Sequence, residues 1–515
     1  MPSMPTDRGF INAFAVAAEK QPEAVIRFHS PDAGERVMML VDIYRKGCRV
    51  GRALQSMGIG KGDVVATMLP GWPEWLTAFI GASYAGAVFM PVSTIYKTRE
   101  LSFILRQSRA SVIVTPTSYR GVDYARLLED CGDLPALNHR FLVDPSAPSS
   151  WHALEESESA GTTPAETSSR DVAFMVFTSG TTSAPKGVLH SASTLLGEIE
   201  AQKAARADIS NETILCPWPP GHVAGALQML RFLVSGTPLI VMEKWDAAEA
   251  ARLIETHKAT TSSGTPFHMA GLLDAAEEDG RSLSSLQSYV LGAAPVPAAL
   301  VQACEDRGIV TVHSYGSSEH PTVTMAANDD PLEKRLHTEG RPMHGNEIRI
   351  VDEAGSDLPV GEPGEILTRG PERFLGYLDK DLDKQAFLPG GWYRTGDVGR
   401  LDEDGFLLIT DRKKDIIIRG GENISSRDVE DVARLISGVR DSAAVAVPDD
   451  RLGERIKLFV EMESGETMTL DAMQAHYRAQ GVASQKIPEF LEIIDTLPRN
   501  DNGKVLKVEL RNRRH

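Results

Sequence analysis

The sequence predicts an α/β protein, with a large N-terminal domain of parallel-rich β-sheets flanked by helices and a small α+β C-terminal domain after it. Three observations lead there. Helical and strand-like patterns alternate along most of the chain, which is the signature of sheets built through crossover helices. The 515 residues exceed what one core holds, at roughly 150 residues per domain. The pattern also changes after Asp411.

The helical stretches include RKGCRVGRALQSMG and DAAEAARLIETHK, and the strand-like runs include DVVATML, SVIVT, TPLIVM and SYVLGA. Pro145 to Arg170, rich in Ser, Ala, Thr and Glu, reads as a surface connection. From Asp411 the chain runs DRKKDIIIRGGENISSRDVEDVARLI: a charged turn, a short apolar strand, a Gly-Gly turn and a helix. Ser425 and Asp428 fit a capping box, and Val429, Val432, Ala433 and Ile436 form one apolar face. Two strands (SAAVAVP, IKLFVEM), a helix and the tail PRNDNGKVLK follow. The boundary falls near Arg412 to Lys414, dividing the chain into 1–411 and 412–515. No internal repeat is visible.

Composition narrows the function. With 54 basic and 71 acidic residues the formal charge is −17, which argues against nonspecific nucleic-acid binding. Local Lys, Arg and backbone N–H groups can still hold an anionic substrate. Cys48, Cys131, Cys216 and Cys304 are far apart and form no CxxC or Cys/His pattern. A metal cluster or disulfide framework is therefore not expected, and a reducing cytoplasm is. The N-terminus MPSMPTDRGF has no basic segment leading into an apolar run, so no signal peptide is expected. Trp75 to Val92 spans 18 residues without a charge, the lower edge for a membrane span. Its Gly81, Gly86 and Pro91 favour a buried helix running into a strand, so no integral membrane segment is expected.

The strongest chemical signal is VAFMVFTSGTTSAPKGVLHSASTLLGEI. An apolar strand, Val172 to Phe177, enters TSGTTSAPKG, and a helical pattern follows. Glycines and small hydroxyl residues let N–H and O–H groups surround phosphate oxygens, while Lys186 supplies charge. The spacing is not GxxxxGK[ST], so this is not a Walker loop.

TSGTTSAPKG (Thr178 to Gly187) resembles the phosphate-binding signature of the adenylate-forming superfamily, which includes acyl-CoA synthetases, luciferases and peptide-synthetase adenylation domains. Ser183 stands where that family usually has Gly. SYGSSEH (Ser314 to His320) resembles the family's aromatic-Gly-x-Thr-Glu motif, with Ser318 in place of Thr. The resemblance implies that Thr178, Ser179, Gly180, Thr181, Thr182 and Lys186 hold phosphate. It also implies that Tyr315, after Gly292-Ala293-Ala294-Pro295 and beside Gly316, stacks on adenine. Ser318 would bond a phosphate oxygen and Glu319 would hold Mg²⁺. One carboxylate plus substrate phosphates suits that ion. YRTGD (Tyr393 to Asp397) matches a further family motif, and its carboxylate has two oxygens for the two ribose hydroxyls.

Asp411 to Asp415 resembles the hinge segment. Arg412 would contact ribose or phosphate, and the small domain would be mobile about Lys414. Gly420-Gly421 would admit the pantetheine arm, where a Cβ would obstruct. Lys504 matches the family's catalytic lysine, and His222 in PWPPGHVAG matches a residue lining the acyl site. In amino-acid-activating relatives that segment carries an acidic residue for the amine; here it has none.

The resemblance, spanning nearly the whole chain, implies an enzyme that activates a carboxylic acid with ATP and passes the acyl group to coenzyme A. Two alternatives stay open: delivery to a carrier protein's pantetheine, and a non-catalytic nucleotide-binding homologue. Loss of Lys504, Glu319 or Asp397 would mark the last, and all three are present. The runs WPPGHVAGALQMLRFLV and GTPFHMAGLL are apolar, pointing to a hydrophobic acid with Trp218, Val223, Phe267 and Ser317 as pocket lining. The stretch from Val301 into the tyrosine motif resembles bacterial fatty-acid and alicyclic-acid CoA ligases, by analogy. The sequence gives no reading of oligomeric state.

Overall fold

A computed structural model describes residues 9–158, 162–178, 185–206, 208–209, 211–294, 296–412, 415–419, 422–449, 452–480, 482, 484–500 and 503–513, the side chains of Arg412, Glu422 and Asn423 excepted. Two large sheets dominate. The first has nine strands, and its interior is parallel: Val310–Tyr315, Ser288–Gly292, Thr261–Gly264, Ile214–Cys216, Leu239–Met242 and Val25–Ser30 lie side by side in that order. Short antiparallel strands close both edges. The second has seven strands, with Val172–Thr178, Val88–Pro91, Val64–Thr67, Val112–Pro116 and His139–Val143 parallel in that order. Strands such as Val64–Thr67 and Val112–Pro116 are buried at every position, as expected where helices cover both faces of a parallel sheet.

The charge-free run resolves as expected into the helix Pro73–Ala85 and the strand Val88–Pro91. Pro73 starts the helix and Gly86 ends it in the left-handed region at φ 78°, the usual asymmetry of helix ends. Every residue of this helix except Ser83 is buried. It packs on Leu40–Ser56 so closely that a Cβ on Gly47 would lie 2.5 Å from Ile80. Among the described residues no helix is long and apolar enough to cross a membrane.

A third, antiparallel sheet contains Glu347–Val351, Gly364–Arg369 and Trp392–Leu401, with Leu407–Arg412 paired to the last. A fourth lies wholly after Asp411. Val439–Asp449 and Gly453–Met462 form its long hairpin, and Phe490–Ile494 adds a parallel strand. The helix Ser426–Arg434 packs on it. Ser425 caps that helix through a 3.1 Å bond from the Asp428 amide. The reciprocal half of the expected box gives way to an ion pair between Asp428 and Lys486.

Two local expectations are corrected. The 145–170 segment is more than a surface connection. It contains the helix Ser150–Glu155, whose Trp151 is fully buried and whose Glu155 pairs with Lys46. Ala165 and Thr162 bond Tyr84 on the buried helix. The phosphate-loop segment does not pass directly into a helix either. The strand Lys186–Ser191 comes first, antiparallel to Val172–Thr178, and the helix Ala192–Ala205 begins only after it. Sheet pairing there overrides the helical pattern.

Candidate active site

Strands of both large sheets, among them those ending at Thr178, Gly292 and Tyr315, bring their carboxyl ends to one cleft, where open α/β sheets place ligands. A cavity of about 1140 Å³ opens there. Thr178, Lys186, Trp218, His222, Val223, Phe267, Gly292, Ala293, Ala294, Tyr315, Gly316, Ser317, Ser318, Glu319, Asp397 and Lys504 all line it. Residues more than 300 positions apart are thus brought together. Ser179, Gly180, Thr181, Thr182, Pro295, Lys414, Gly420 and Gly421 lie outside the described residues.

The phosphate end is organised by strand register. Lys186 sits directly opposite Thr178 on the neighbouring antiparallel strand, and both face the cleft. The Lys186 ammonium lies 5.3 Å from the centre of the Tyr377 ring, within cation–π range. The Tyr377 hydroxyl donates to Glu319 Oε1 at 2.8 Å. Burial and the Glu319 carboxylate both push the Tyr377 hydroxyl far above its ordinary range, so it stays a donor. Tyr377 thereby couples the charge of Lys186 to that of Glu319.

The turn carrying Glu319 is fixed by the residues before it. Ser317 Oγ accepts from the amides of Glu319 (3.2 Å) and His320 (3.3 Å). A Cβ on Gly316 would fall 1.8 Å from the Pro321 carbonyl oxygen, so only glycine fits this turn. The fully buried His190 donates from Nε2 to the Ser318 carbonyl at 2.8 Å, tying the strand after the phosphate loop to the acidic motif. Burial holds His190 down at about 4.

The nucleoside end pairs Tyr315 with Asp397: the phenol donates to Oδ2 at 2.7 Å. The Asp397 amide in turn bonds Thr395 Oγ1 at 3.0 Å. Arg412 is the register partner of Asp397 on the neighbouring strand. In the Gly292–Ala294 segment, Ala293 takes a positive φ of 62°, a conformation uncommon for a residue with a Cβ and found where a site over-determines the backbone.

The acyl end begins at His222, which caps the helix Val223–Ser235. Its Nδ1 accepts from the Ala224 amide at 3.3 Å, so the neutral ring carries its proton on Nε2. The ring stacks on Trp218, whose indole donates to Ser263 at 2.8 Å. Burial first, and the Lys504 ammonium second, push His222 down to about 4. Lys504 is therefore close enough for His222 to feel its charge. A tight turn presents it: its amide bonds Asn500 Oδ1 at 2.9 Å, and Gly503 beside it has φ 75°. Arg499 braces the turn, donating to the Gly503 carbonyl at 2.9 Å and pairing with Asp441 at 2.6 Å. A Cβ on Gly503 would come within 3.0 Å of Phe267, so the C-terminal turn lies against the acyl wall.

Tyr377, His190 and Thr395 are site residues that the motifs did not single out. Tyr377 lies 58 positions after Glu319 in the two-residue strand Gly376–Tyr377, which pairs with Lys186–Ser191, and nothing in its sequence surroundings signals the partnership. Thr395 stood inside YRTGD without an assigned role.

Such an arrangement — a strand pair with its lysine, a buried acid, a carboxylate beside a phenol, and a lysine brought in on a C-terminal turn — defines an enzyme that handles an acid and a nucleotide in one cleft. The chain belongs to the AMP-binding enzyme family: that family's model matches residues 14–378, and the model of its C-terminal domain matches residues 428–504. It is 35% identical to the medium-chain fatty-acid–CoA ligase of Escherichia coli K12, over 88% of this chain and 82% of that one. It is likewise 35% identical to a methyl-dioxo-octahydroindenyl-propanoyl:CoA ligase of Mycobacterium tuberculosis, over 89% and 90%. ATP-bound MatB from Rhodopseudomonas palustris superposes with a TM-score of 0.88 at 25% identity, covering 97% of this chain and 98% of that one. The chain is an acid–thiol ligase of the acyl-CoA synthetase type, as the names of its relatives and its two-part fold agree.

Proposed function

We propose that this enzyme converts an apolar carboxylic acid to its acyl-adenylate and then to its coenzyme A thioester, releasing pyrophosphate and AMP. The observation that carries this is the convergence of Lys186, Glu319, Asp397, His222 and Lys504 on one cavity.

In the first step a carboxylate oxygen attacks the α-phosphorus of ATP, and the bond to pyrophosphate breaks. Catalysis is positioning and charge neutralisation. Thr178, Lys186 and the hydroxyl loop hold the phosphates, Asp397 the ribose and Tyr315 the adenine. The His222 Nε2–H and the Lys504 ammonium meet the carboxylate as charge builds on the phosphorus side. Glu319 fits a Mg²⁺ site: one buried carboxylate, with no cluster of three or more His, Cys, Asp or Glu ligands among the described residues, matches an ion that takes its other ligands from phosphates and water. That ion would supply charge neutralisation on ATP.

In the second step the CoA thiolate attacks the acyl carbonyl carbon and AMP leaves. We place the domain boundary at 411/412 and the hinge at Lys414. Rotation there would withdraw Lys504 and admit the pantetheine arm beside Gly420 and Gly421. Such motion also keeps water from the adenylate. Val223, Leu227, Val290 and Phe267 supply apolar lining, and relatives named for fatty-acyl and cyclic propanoyl groups support an apolar acid. The four cysteines, all buried and unpaired, support a cytoplasmic setting.

The test is a panel of carboxylic acids scored by pyrophosphate release, with and without CoA. Acid-dependent release and thioester formation with free CoA are expected. Release that yields thioester only with a pantetheinylated carrier protein would favour that acceptor, and no release with any acid would overturn the reading.

A further inference from the structure

Beyond His222 the cleft is not uniformly apolar. The helices Ala192–Ala205 and Val223–Ser235 both contribute to its wall. Glu198, Gln202 and Arg206 recur every fourth residue, so they form one stripe along the first helix and its cap, and all three line the cavity. Gln228 lines it from the second helix. The two walls converge on Glu212, which pairs with Arg206 at 2.7 Å and with Arg231, one turn after Gln228.

Two buried polar atoms here lack hydrogen-bond partners. The Arg206 side chain is only 5% exposed, and while its Nη2 meets Glu212 at 2.7 Å, its Nε makes no hydrogen bond, and the buried Oε1 of Gln228 makes none. Gln202 and Glu198 are already engaged, both on the Thr322 hydroxyl, at 3.1 and 2.9 Å. Buried polar atoms are nearly always satisfied, so orphans beside a cavity mark a place that a ligand completes. Gln228 lies six residues after His222, about 9 Å along the helix at 1.5 Å per residue.

We propose that the substrate carries a neutral oxygen, a ketone or hydroxyl, at the end remote from its carboxylate, seated between Arg206 and Gln228. It accepts from the guanidinium, and a hydroxyl also donates to the Gln228 amide. A second carboxylate is not matched, because Glu212 and Asp208 already oppose the charge of Arg206. This rests on the acid-activating reading above and narrows its substrate to an oxo or hydroxy acid on an apolar skeleton.

The experiment compares kcat/KM, by pyrophosphate release, for octanoic acid, for the oxo-octanoic acid with its ketone beside the terminal methyl, and for suberic acid. Octanoic acid spans about the 9 Å between His222 and Gln228. The oxo acid should exceed octanoic acid by about tenfold or more, since a site built to bond a substrate group rejects analogues lacking it. For the hydroxy acid of the same chain, whose hydroxyl donates to Gln228 Oε1, Gln228→Met should remove most of the advantage over octanoic acid while leaving that of the oxo acid, held by the guanidinium, largely in place; Gln202→Met tests the same wall should the first variant lose its folded melting transition. Octanoic acid equal to or better than the oxo acid overturns the proposal, as do suberic acid as best substrate or a hydroxy-acid preference untouched by these variants. Pyrophosphate release with none of these acids, nor with any in the wider panel, overturns the activation reading beneath it.

Discussion

The hydroxyl of Tyr377 donates a 2.8 Å hydrogen bond to Oε1 of Glu319 while its ring lies 5.3 Å from the Lys186 ammonium. One side chain thus orients the acid proposed to hold Mg²⁺ and packs under the lysine proposed to hold phosphate. Tyr377→Phe keeps the ring and removes the bond. A bond to a charged group contributes about 1.5–3 kcal/mol, and 1.4 kcal/mol is tenfold. The KM for ATP at limiting Mg²⁺ should therefore rise about tenfold, with a smaller change at saturating Mg²⁺. Steady-state pyrophosphate release across a Mg²⁺ series reads this, and an unchanged KM would remove Tyr377 from the site.

Lys504 and Lys414 should separate the two half-reactions. Lys504→Ala should reduce adenylate formation by about 100-fold or more, in line with losing a group that meets transition-state charge. Thioester formation from supplied acyl-AMP should persist. Lys414→Pro should show the opposite bias, since fixing φ restricts the proposed rotation. Equal loss in both assays would contradict the role of Lys504, and no effect in either would contradict the hinge.

Acid should destabilise the fold through its buried histidines. His190 is pushed from 6.5 down to about 4 by burial. Between those values the unfolded chain takes up a proton that the folded one does not, so stability falls as pH drops from 6.5 and levels off below 4. The slope for one such group approaches about 1.4 kcal/mol per pH unit. His190→Gln keeps a donor for the Ser318 carbonyl without titrating. Its melting temperature should fall less than the parent's between pH 6.5 and 4, as read by thermal denaturation at a series of pH values.

Much of this architecture is legible from pattern. Doubly buried strands such as Val112–Pro116 are continuous apolar runs, and the cap at Ser425 shows in its spacing. Motif residues can be found because each stands at a strand end or turn with a chemical requirement of its own, as Gly316 does against Pro321. What pattern conceals is pairing at a distance. Glu198, Gln202 and Arg206 read as an ordinary solvated helix face, and only the fold turns that face into a cavity wall. Trp151 sits in a Ser-rich stretch yet is fully buried, because a single aromatic in a polar segment carries no periodicity. The strand Lys186–Ser191 exists through its register with Val172–Thr178, a tertiary preference that outweighs local helix signals.

The most direct test of the central claim is a single turnover with ATP labelled at its α-phosphate and an accepted acid. Without CoA, label should accumulate as enzyme-bound acyl-AMP in amounts near the enzyme concentration, and adding CoA should convert it to AMP with matching acyl-CoA. Labelled ADP in place of AMP, or thioester formed with no acyl-AMP preceding it, would contradict the account.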